Sequence, residues 1–450
     1  MLKVKGERVQ SDYEQMMRLA CPVFMEIMLR ALLGNVDQLM LSNYSATAVA
    51  AVGNANQIMN VMILVLNVVC VASTILIAQY IGAGKRKELD YIYTMAVAIN
   101  VMFSILLSSL IFVKEPVFTM MRVPEELMAE TKIYFTVVAS SFLLQGIFMS
   151  FSAIFRSNSM MEEIMAISVL SNIMNVCGNL ILINGTGFIP PLGVLGAVIS
   201  TVASLFLSVC AVIYLYWKKI RVPLRWAYIR KPDIQRIGQL FRLGILAAGD
   251  SISYNTMQLV MMSFINSYGA DSASAKAYTG MIVIFVYMCS SAIAQANQIK
   301  VGYLTGAGKA EQAKVLVTKS VKTSVAVSVC LAILLYVFYE SIFRIFTQDE
   351  AILGLIQKVL LIDIFLEIGR AVNMVMINSL LAAGDTKYPV SCAIFSMWLI
   401  AVLSAYLFGT VMELGIAGVW VGLAMDEWCR AMAFLRRWRS NVWQKKCLVL

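Results

Sequence analysis

The 450-residue chain contains no histidine, and its nine cysteines stand singly along the sequence. A zinc site or a disulfide framework needs Cys or His at paired spacings, so neither is indicated. Charge is also scarce: Asp, Glu, Lys and Arg make up 14% of the residues, against about 25% in soluble domains. Hydrophobic residues make up 60% of the chain, and its mean hydropathy is +0.79. These values exclude an ordinary soluble enzyme.

The apolar residues occur in blocks of about twenty or more, the length that an α-helix needs to cross about 30 Å of hydrocarbon. Lipid offers no partner for an unpaired backbone group, so such a chain is expected to form a bundle of helices. The sequence therefore predicts an all-α polytopic membrane protein with about twelve spans. Their predicted extents are 17–42, 50–80, 91–113, 131–155, 164–184, 192–217, 240–266, 277–303, 317–343, 353–382, 388–409 and 414–435.

The net charge of +10 lies almost wholly in the short gaps between apolar blocks, and alternate gaps are basic. This pattern is typical of membrane topology and disfavours a nucleic-acid partner. The basic gaps contain Lys3, Lys5 and Arg8, residues 85–87, Arg156, residues 218–236, Lys309, Lys314, Lys387 and the tail 436–446. Both termini are therefore predicted to be cytoplasmic, in a multi-pass protein of the plasma or inner membrane. The polar N-terminus is no signal peptide, and we expect the first helix to direct insertion.

An internal repeat divides the chain. Gly-Ala-Gly-Lys stands at 82–85 and again at 306–309, an offset of 224, and the same offset pairs Glu26 with Asp250. The motif lacks the earlier Gly and the following Ser/Thr of a phosphate-binding loop, and it follows a membrane helix. It is interpreted as a tight helix end with a basic anchor. No nucleotide site is visible, so an ion gradient or passive flow is expected to drive transport.

The repeat predicts two pseudo-symmetric lobes of six helices each. The first covers residues 1–217 and the second 239–435, joined by a basic cytoplasmic linker at 218–238 and followed by a basic tail at 436–450. Since six is even, both lobes insert in the same orientation. Parallel halves around a midplane cavity are a transporter architecture, and a channel or a membrane enzyme is the alternative.

Ionisable side chains at bilayer depth are costly and need a partner or a function. The predicted spans contain Glu26, Arg30, Asp37, Asp250, Asp363, Glu367 and Arg370. Helical spacing allows local ion pairs of Glu26 with Arg30 and of Glu367 with Arg370, and for these a packing role is as well supported as a transport role. Asp363 lies one turn from Glu367 and is a further ion-pair candidate.

Asp37 and Asp250 have no basic residue within four positions. Each must be protonated, hold a cation or reach another helix, so both are candidates for the ion-coupling site. Asn175 and Asn179 share one face of the fifth span. Together with Asp37 their oxygens would suit Na⁺ or a proton-accepting network, and hydrogen bonding between helices is the alternative. No other metal and no organic cofactor is expected.

The assembled motifs resemble those of the multidrug and toxic compound extrusion (MATE) family. The resembling stretches are Pro22-Val-Phe-Met-Glu26, Gly34-Asn-Val-Asp37, the two Gly-Ala-Gly-Lys loops, Ala248-Gly-Asp250, Glu367-Ile-Gly-Arg370, Ala383-Gly-Asp385, and Gly418-Val-Trp420 running into Asp426-Glu427-Trp428. The resemblance implies a V-shaped bundle of two lobes, outward- and inward-open states, and export of organic cations coupled to Na⁺ or H⁺.

The resemblance also assigns residues. The family's first-span acidic residue falls on Asp37, and its fifth-span Asn-x-x-x-Asp falls on Asn175 and Asn179, where an amide replaces the carboxylate. Thr201 in the sixth span is implied as a further oxygen ligand. The seventh-span acidic residue of some relatives falls near Tyr254, about one turn after Asp250, so that site is expected to be displaced.

These observations predict a secondary antiporter that exports organic, cationic and amphipathic compounds in exchange for Na⁺ or H⁺. Its expected partners are small organic substrates and membrane lipid, and a monomer is expected. The alternative is a flippase for lipid-linked or polysaccharide precursors. That alternative needs a basic cavity. It is disfavoured because Arg30 and Arg370, interpreted as the only intramembrane arginines, both have local carboxylate partners. The channel alternative differs in its kinetics, because a channel conducts without saturating whereas a carrier saturates.

Overall fold

A computed structural model describes residues 2–186 and 190–449; for residues 2–9, 35 and 46 it describes the backbone alone. The side chains of Lys3, Lys5 and Arg8, which contribute to the predicted topology, therefore lie outside the described residues.

Helices make up almost all of the described chain. In order they are α1 Leu2–Tyr44, α2 Ala46–Gly82, α3 Leu89–Ser108, α4 Lys114–Met120, α5 Glu125–Ser140, α6 Phe142–Ser157, α7 Met161–Leu182, α8 Val194–Leu215, α9 Ala227–Arg230, α10 Ile234–Ser267, α11 Ala270–Gly306, α12 Ala310–Val337, α13 Tyr339–Phe343, α14 Glu350–Ala382, α15 Lys387–Ser396, α16 Leu403–Tyr406 and α17 Ile416–Arg439. Short 3₁₀ or π-helical segments extend several of them, among them Ser109–Val113, Tyr216–Ile220, Met397–Val402 and Leu407–Val411.

Within the described ranges, eight helical stretches are long and apolar enough to cross a membrane, and α5 and α6, bent by 49°, together make a ninth. Three other helices, α10, α14 and α17, have 34, 33 and 24 residues. They are long enough to span but carry several charged side chains each. These stretches account for the segments predicted from the sequence and confirm an all-α, multi-pass membrane protein.

The chain forms two compact units. Unit 1 comprises residues 1–24, 78–84 and 246–450, and unit 2 comprises residues 25–77 and 85–245. The lobe boundaries predicted from the repeat, at 217 and 239, stay a prediction; the units place residues 1–24 and 78–84 with the C-terminal half.

Each unit has its own apolar core. In unit 1 the core lies among α11, α12, α14 and α17, with Leu366 and Phe434 fully buried. In unit 2, Phe118, Phe135 and Phe142 are buried together with Met62 from α2. The Phe118 and Phe135 rings meet edge to face, 5.3 Å apart, an arrangement that aromatic pairs favour.

The repeated Gly-Ala-Gly-Lys motif has a structural explanation inside unit 1. A Cβ atom on Gly82 would overlap the main chain of Tyr303, and a Cβ on Gly306 would overlap the main chain of Gln79. The offset of 224 that relates Gly82 to Gly306 also relates Gln79 to Tyr303. The ends of α2 and α11 therefore cross with their backbones in contact, as small residues allow in membrane bundles, and the contact is reciprocal.

The second glycine of each motif ends the helix. Gly84 and Gly308 have φ values of +71° and +68°, a left-handed conformation that glycine adopts without strain. The tight helix ends expected from the sequence thus combine one glycine for the crossing with one for the turn.

The C-terminal segment packs beside this crossing. The indole of Trp443 is buried and stacks on Trp438 with ring centroids 4.0 Å apart. The backbone N–H of Leu448 donates to Gln79 Oε1 at 2.9 Å, and Gln79 Nε2 donates to the Ala382 carbonyl at 2.6 Å. The basic tail is therefore a packed part of unit 1 beyond residue 441.

Gly82→Ala and Gly306→Ala should each lower the stability of the folded protein by about 1–3 kcal/mol, because the added methyl group has no space. Thermal unfolding of the purified protein in detergent would measure this. Gly53→Ala in α2 and Gly280→Ala in α11 are matched controls, since a Cβ at either position has no neighbour within 4 Å. Equal melting temperatures for all four variants would contradict the reciprocal crossing.

Candidate ion-coupling and substrate site

Asp37 stands in the later part of α1, within unit 2, and reaches α7. Asn179 Nδ2 donates to Asp37 Oδ1 at 2.7 Å and to Asn175 Oδ1 at 3.2 Å. Asn175 Nδ2 donates to Thr201 Oγ1 on α8 at 3.1 Å, and Thr201 donates to the Ala197 carbonyl at 3.0 Å. The four residues assigned to this site from the sequence thus form one continuous chain of hydrogen bonds across three helices.

Close packing of α7 on α8 holds the amides in place. Ser200 Oγ donates to the Asn175 carbonyl at 2.7 Å, and Gly178 approaches Ser200 so closely that a Cβ would overlap its hydroxyl. Asn172, one turn before Asn175, lies apart from the Asp37 chain and donates to the Leu29 carbonyl at 3.4 Å.

The chain of hydrogen bonds leaves free oxygen atoms. Asn179 is fully buried, and its Oδ1 has no hydrogen-bond partner among the described residues. A buried carbonyl oxygen without a donor costs about 1–3 kcal/mol, and a small cation beside Asp37 would satisfy it. Carboxylate, amide and hydroxyl oxygens are hard ligands, so the residues present fit a Na⁺ ion, or a proton on the Asp37 carboxylate.

Glu26 is 4% exposed and has two basic partners. Arg30, one turn along α1, donates to Glu26 Oε1 at 2.9 Å, and Arg156 from α6 donates to the same oxygen. The local pair expected from the i, i+4 spacing is present, but Arg156 was assigned to a loop by its sequence position. Two guanidinium groups share one carboxylate, and the cluster carries a surplus positive charge.

In unit 1 a network of buried charges joins α14 to α17. Glu427 Oε1 lies 3.1 Å from an Arg430 nitrogen and 3.6 Å from Arg370 Nε. Asn373 Nδ2 donates to Glu427 Oε2 at 2.6 Å. Glu367 pairs with Arg370 at the predicted i, i+3 spacing, yet its Oε2 is buried without a partner in the described part of the chain.

Arg430 also pairs with Asp426, whose Oδ1 accepts a hydrogen bond from Ser396 Oγ at 2.5 Å. Three carboxylates, those of Glu367, Asp426 and Glu427, therefore face two guanidinium groups. Among these ion-paired groups the carboxylates outnumber the guanidinium groups by one.

Asp250 and Asp363 lie at the edge of this network. Asp363 Oδ1 accepts from Trp420 Nε1 at 3.1 Å, and no basic nitrogen among the described residues lies within 4 Å of its carboxylate, so the ion pair expected for it is not formed. Asp250 interacts electrostatically with Arg430, Glu427 and Asp426. Its Oδ1 is buried without a hydrogen-bond partner among those residues.

Several residues of the Glu26 cluster and of the unit 1 network were not assigned to a site from the sequence. They are Arg156, Asn373, Asp426, Glu427 and Arg430. Asp426 and Glu427 precede Arg430 by four and three residues inside a predicted span, a visible ion-pair signal. The argument that Arg30 and Arg370 are the intramembrane arginines was wrong, because Arg430 is 5% exposed in α17 and Arg156 contacts Glu26.

Comparison with known proteins identifies the family. The family model MatE matches residues 22–181 and 247–407, well over half of the chain. The chain belongs to the MatE family. The uncharacterized transporter YisQ of Bacillus subtilis is 34% identical over 429 residues, covering 95% of this chain and 94% of YisQ. MatE proteins are membrane transporters and not enzymes. The match of the family model confirms the resemblance to the MATE family that the motifs indicated.

A more distant relative and a solved structure are also similar to the chain. A protein of Thermotoga maritima named as a probable multidrug resistance protein NorM is 24% identical, with 98% of this chain and 96% of that protein covered. The crystal structure of a variant of the Vibrio cholerae MATE transporter VcmN matches with a TM-score of 0.88 at 17% identity, covering 97% of this chain and 99% of that one. The second likeness shows that the two chains share the MATE fold.

Glu427→Gln should destabilise the folded protein by about 1–3 kcal/mol, because Arg370 and Arg430 lose the carboxylate that contacts both of them while each keeps one acidic partner. Glu367→Gln should cost less, since the Glu367 carboxylate pairs with Arg370 alone. Folded yield by size-exclusion chromatography and thermal unfolding would rank the two. Glu126→Gln, at an exposed position of α5, is the control and should stay within about 0.5 kcal/mol of the wild type. A Glu427→Gln protein as stable as this control would refute a structural role of the network.

Proposed function

We propose that this MatE protein is an antiporter that exports organic, cationic and amphipathic compounds in exchange for Na⁺ or H⁺. The observation that supports it most is the chain of hydrogen bonds that runs from Asp37 through Asn179 and Asn175 to Thr201. A carboxylate within a span has no basic partner on its own helix, and a buried amide oxygen beside it lacks a donor. A site of this kind favours a monovalent cation, and relatives of the chain carry names of multidrug resistance proteins.

Coupling follows from competition for one negative charge. While Asp37 is ionised, it favours a cationic substrate. When Na⁺ or H⁺ enters from outside, the charge of Asp37 is neutralised and the substrate is released. Asn179, Asn175 and Thr201 keep the carboxylate oriented in both states. The lobes then reverse between outward- and inward-open states, the alternating access expected of duplicated transporters.

The network of unit 1 supports a second coupling position. Its surplus negative charge and the unpartnered oxygens of Glu367 and Asp250 offer a place for one further proton or cation. The protein works as a monomer in the cell membrane, with lipid around it, no nucleic-acid partner and no organic cofactor.

Asp37→Asn should give a folded protein that still binds substrate but shows no gradient-driven efflux, because an amide cannot exchange charge. Dye efflux in inverted vesicles under an imposed Na⁺ or H⁺ gradient is the measurement. Asp271→Asn, at an exposed position in the first turn of α11, should transport normally. Efflux at the wild-type rate in Asp37→Asn would end the coupling role and leave Asp250 as the remaining candidate.

Asn179→Asp should strengthen the dependence of efflux on Na⁺, because it places a second carboxylate within hydrogen-bond distance of Asp37. The Na⁺ concentration for half-maximal efflux is expected to fall several-fold, as an added ligand charge tightens cation binding. Asn172→Asp adds the same charge to α7 away from Asp37 and is the matched control. Identical Na⁺ dependence in the two variants would contradict the site.

The cytoplasmic location of the termini and of the 218–238 linker can be tested by labelling. In a background without cysteine, Lys231→Cys should resist a membrane-impermeant maleimide in intact cells, whereas Glu125→Cys, in the opposite set of loops, should react. Both positions are exposed, so access to the side chain does not limit either reaction. Ready labelling at position 231 would reverse the predicted topology.

A further inference from the structure

A basic cleft opens in unit 1 where the C-terminal segment packs against the start of α15. The cleft has a volume of about 560 Å³, and its walls include Lys387, Tyr388, Phe395, Arg437 and Lys446. The stretch Lys387–Val411 is long and apolar enough to cross a membrane, and the cleft lies at its first turns. The basic cleft is therefore at the end of a span, where the headgroups of a bilayer meet its hydrocarbon.

The main chain holds the two sides of the basic cleft together. Gly384 has a φ of +88°, and a Cβ atom at this position would overlap the carbonyl oxygen of Lys446. On either side of Lys446 the segment is anchored, since Trp443 is buried and the Leu448 N–H donates to Gln79 Oε1 at 2.9 Å. The backbone of Lys446 is thus fixed beside the turn that precedes α15.

The basic cleft carries a surplus of positive charge. Arg437 Nε donates to Asp385 Oδ2 at 2.7 Å, and the Arg437 guanidinium lies 4.6 Å from the centre of the Tyr388 ring. Asp385 therefore neutralises Arg437 and holds it in the wall. Lys387 and Lys446 are exposed and form no ion pair with the described residues. Two ammonium groups at the mouth of the cleft remain available to an anion.

The deeper end of the basic cleft is apolar. Tyr388, Ser391 and Phe395 follow one another at helical spacing and share one face of α15. Phe395 is 65% exposed, and Leu399, one turn further on, is 51% exposed. Phe395 lies about 12 Å along the helix from Lys387, because each residue rises 1.5 Å. The cleft thus changes from cationic to apolar in the direction that leads from the membrane surface into the hydrocarbon.

We propose that the basic cleft binds an anionic phospholipid, whose phosphate is held by Lys387 and Lys446 and whose acyl chain lies along Phe395. A basic pocket between the ends of membrane helices is a recurrent site for anionic headgroups. A soluble phosphate compound would match the lysines but leave the apolar end empty, and a zwitterionic lipid would bring no net charge. The site lies apart from Asp37, and the proposal does not depend on the proposed antiport.

The test is lipid binding to the purified full chain in detergent, measured by native mass spectrometry. The probes are phosphatidylglycerol and a phosphatidylcholine with the same acyl chains. In the wild type the Kd for phosphatidylcholine should exceed that for phosphatidylglycerol about 25-fold, because each basic group near a membrane surface contributes about fivefold. The double variant Lys387→Gln, Lys446→Gln should bring this ratio close to one. An undiminished ratio would overturn the proposal.

The double variant Arg439→Gln, Lys445→Gln is the matched control. It removes the same charge from exposed positions of the same segment that do not line the cleft, and it should keep the wild-type ratio. An equal fall in the control would show attraction to a diffuse basic surface and overturn the site. If the test variant does not fold, Lys387→Gln alone should lower the ratio about fivefold; an unchanged ratio there also overturns the proposal.

The apolar end of the cleft distinguishes a lipid from a soluble phosphate compound. Phe395→Ala should raise the Kd for phosphatidylglycerol several-fold but leave the ratio of the two lipids unchanged, since the ring contacts the acyl chain and not the headgroup. Phe206→Ala, at a 52% exposed position of α8, should leave both values unchanged. Glycerol 3-phosphate in large molar excess should not displace the lipid. Displacement by it, or an unchanged Kd in Phe395→Ala, would rule out a lipid as the occupant.

Discussion

The cost of an unpaired charge in hydrocarbon determines where this protein can place its polar residues. Most of its spanning helices are almost free of charge, and α10, α14 and α17 carry the intramembrane carboxylates and arginines of unit 1. Within a span each such group needs a counter-charge, a hydrogen-bond donor or access to water. Glu26 and Glu427 meet this requirement through two arginines each. Asp37 meets it through a single amide, that of Asn179.

The Asp37 site and the network around Glu427 stabilise their intramembrane charges in different ways. The Asp37 site is sparse, with one carboxylate, two amides and a hydroxyl in a line. The network around Glu427 is dense, with acids and arginines in near balance. Small changes of protonation alter the charge of the sparse site completely, whereas the dense network can redistribute its hydrogen bonds when one proton is added. The sparse site is thus the one suited to the proposed ion coupling, and the dense one is suited to holding α14 and α17 together.

Much of the Asp37 site could be predicted from the sequence. Asn175 and Asn179 stand one turn apart on the same helix, and local geometry is enough to place them on one face. The partner of Glu26 on α6 could not be predicted in this way, because the meeting of α1 and α6 depends on how distant helices pack. The i, i+4 spacing of Asp426 and Arg430 was available and was overlooked beside the motif that ends in Trp428. Arg30 was correctly paired with Glu26, but its surplus charge became visible only once Arg156 was placed beside them.

The crossing of α2 and α11 has a consequence for the history of the chain. Gly82 meets Tyr303 while Gly306 meets Gln79, so equivalent residues of the two repeats exchange places across the contact. A self-complementary patch of this kind is what a two-fold homodimer uses. A six-helix ancestor that associated in pairs through this surface would already have had the contact before its gene duplicated and fused. Each glycine in the present chain then carries an inherited constraint, and a larger residue in either copy would have to be matched by a change in the other.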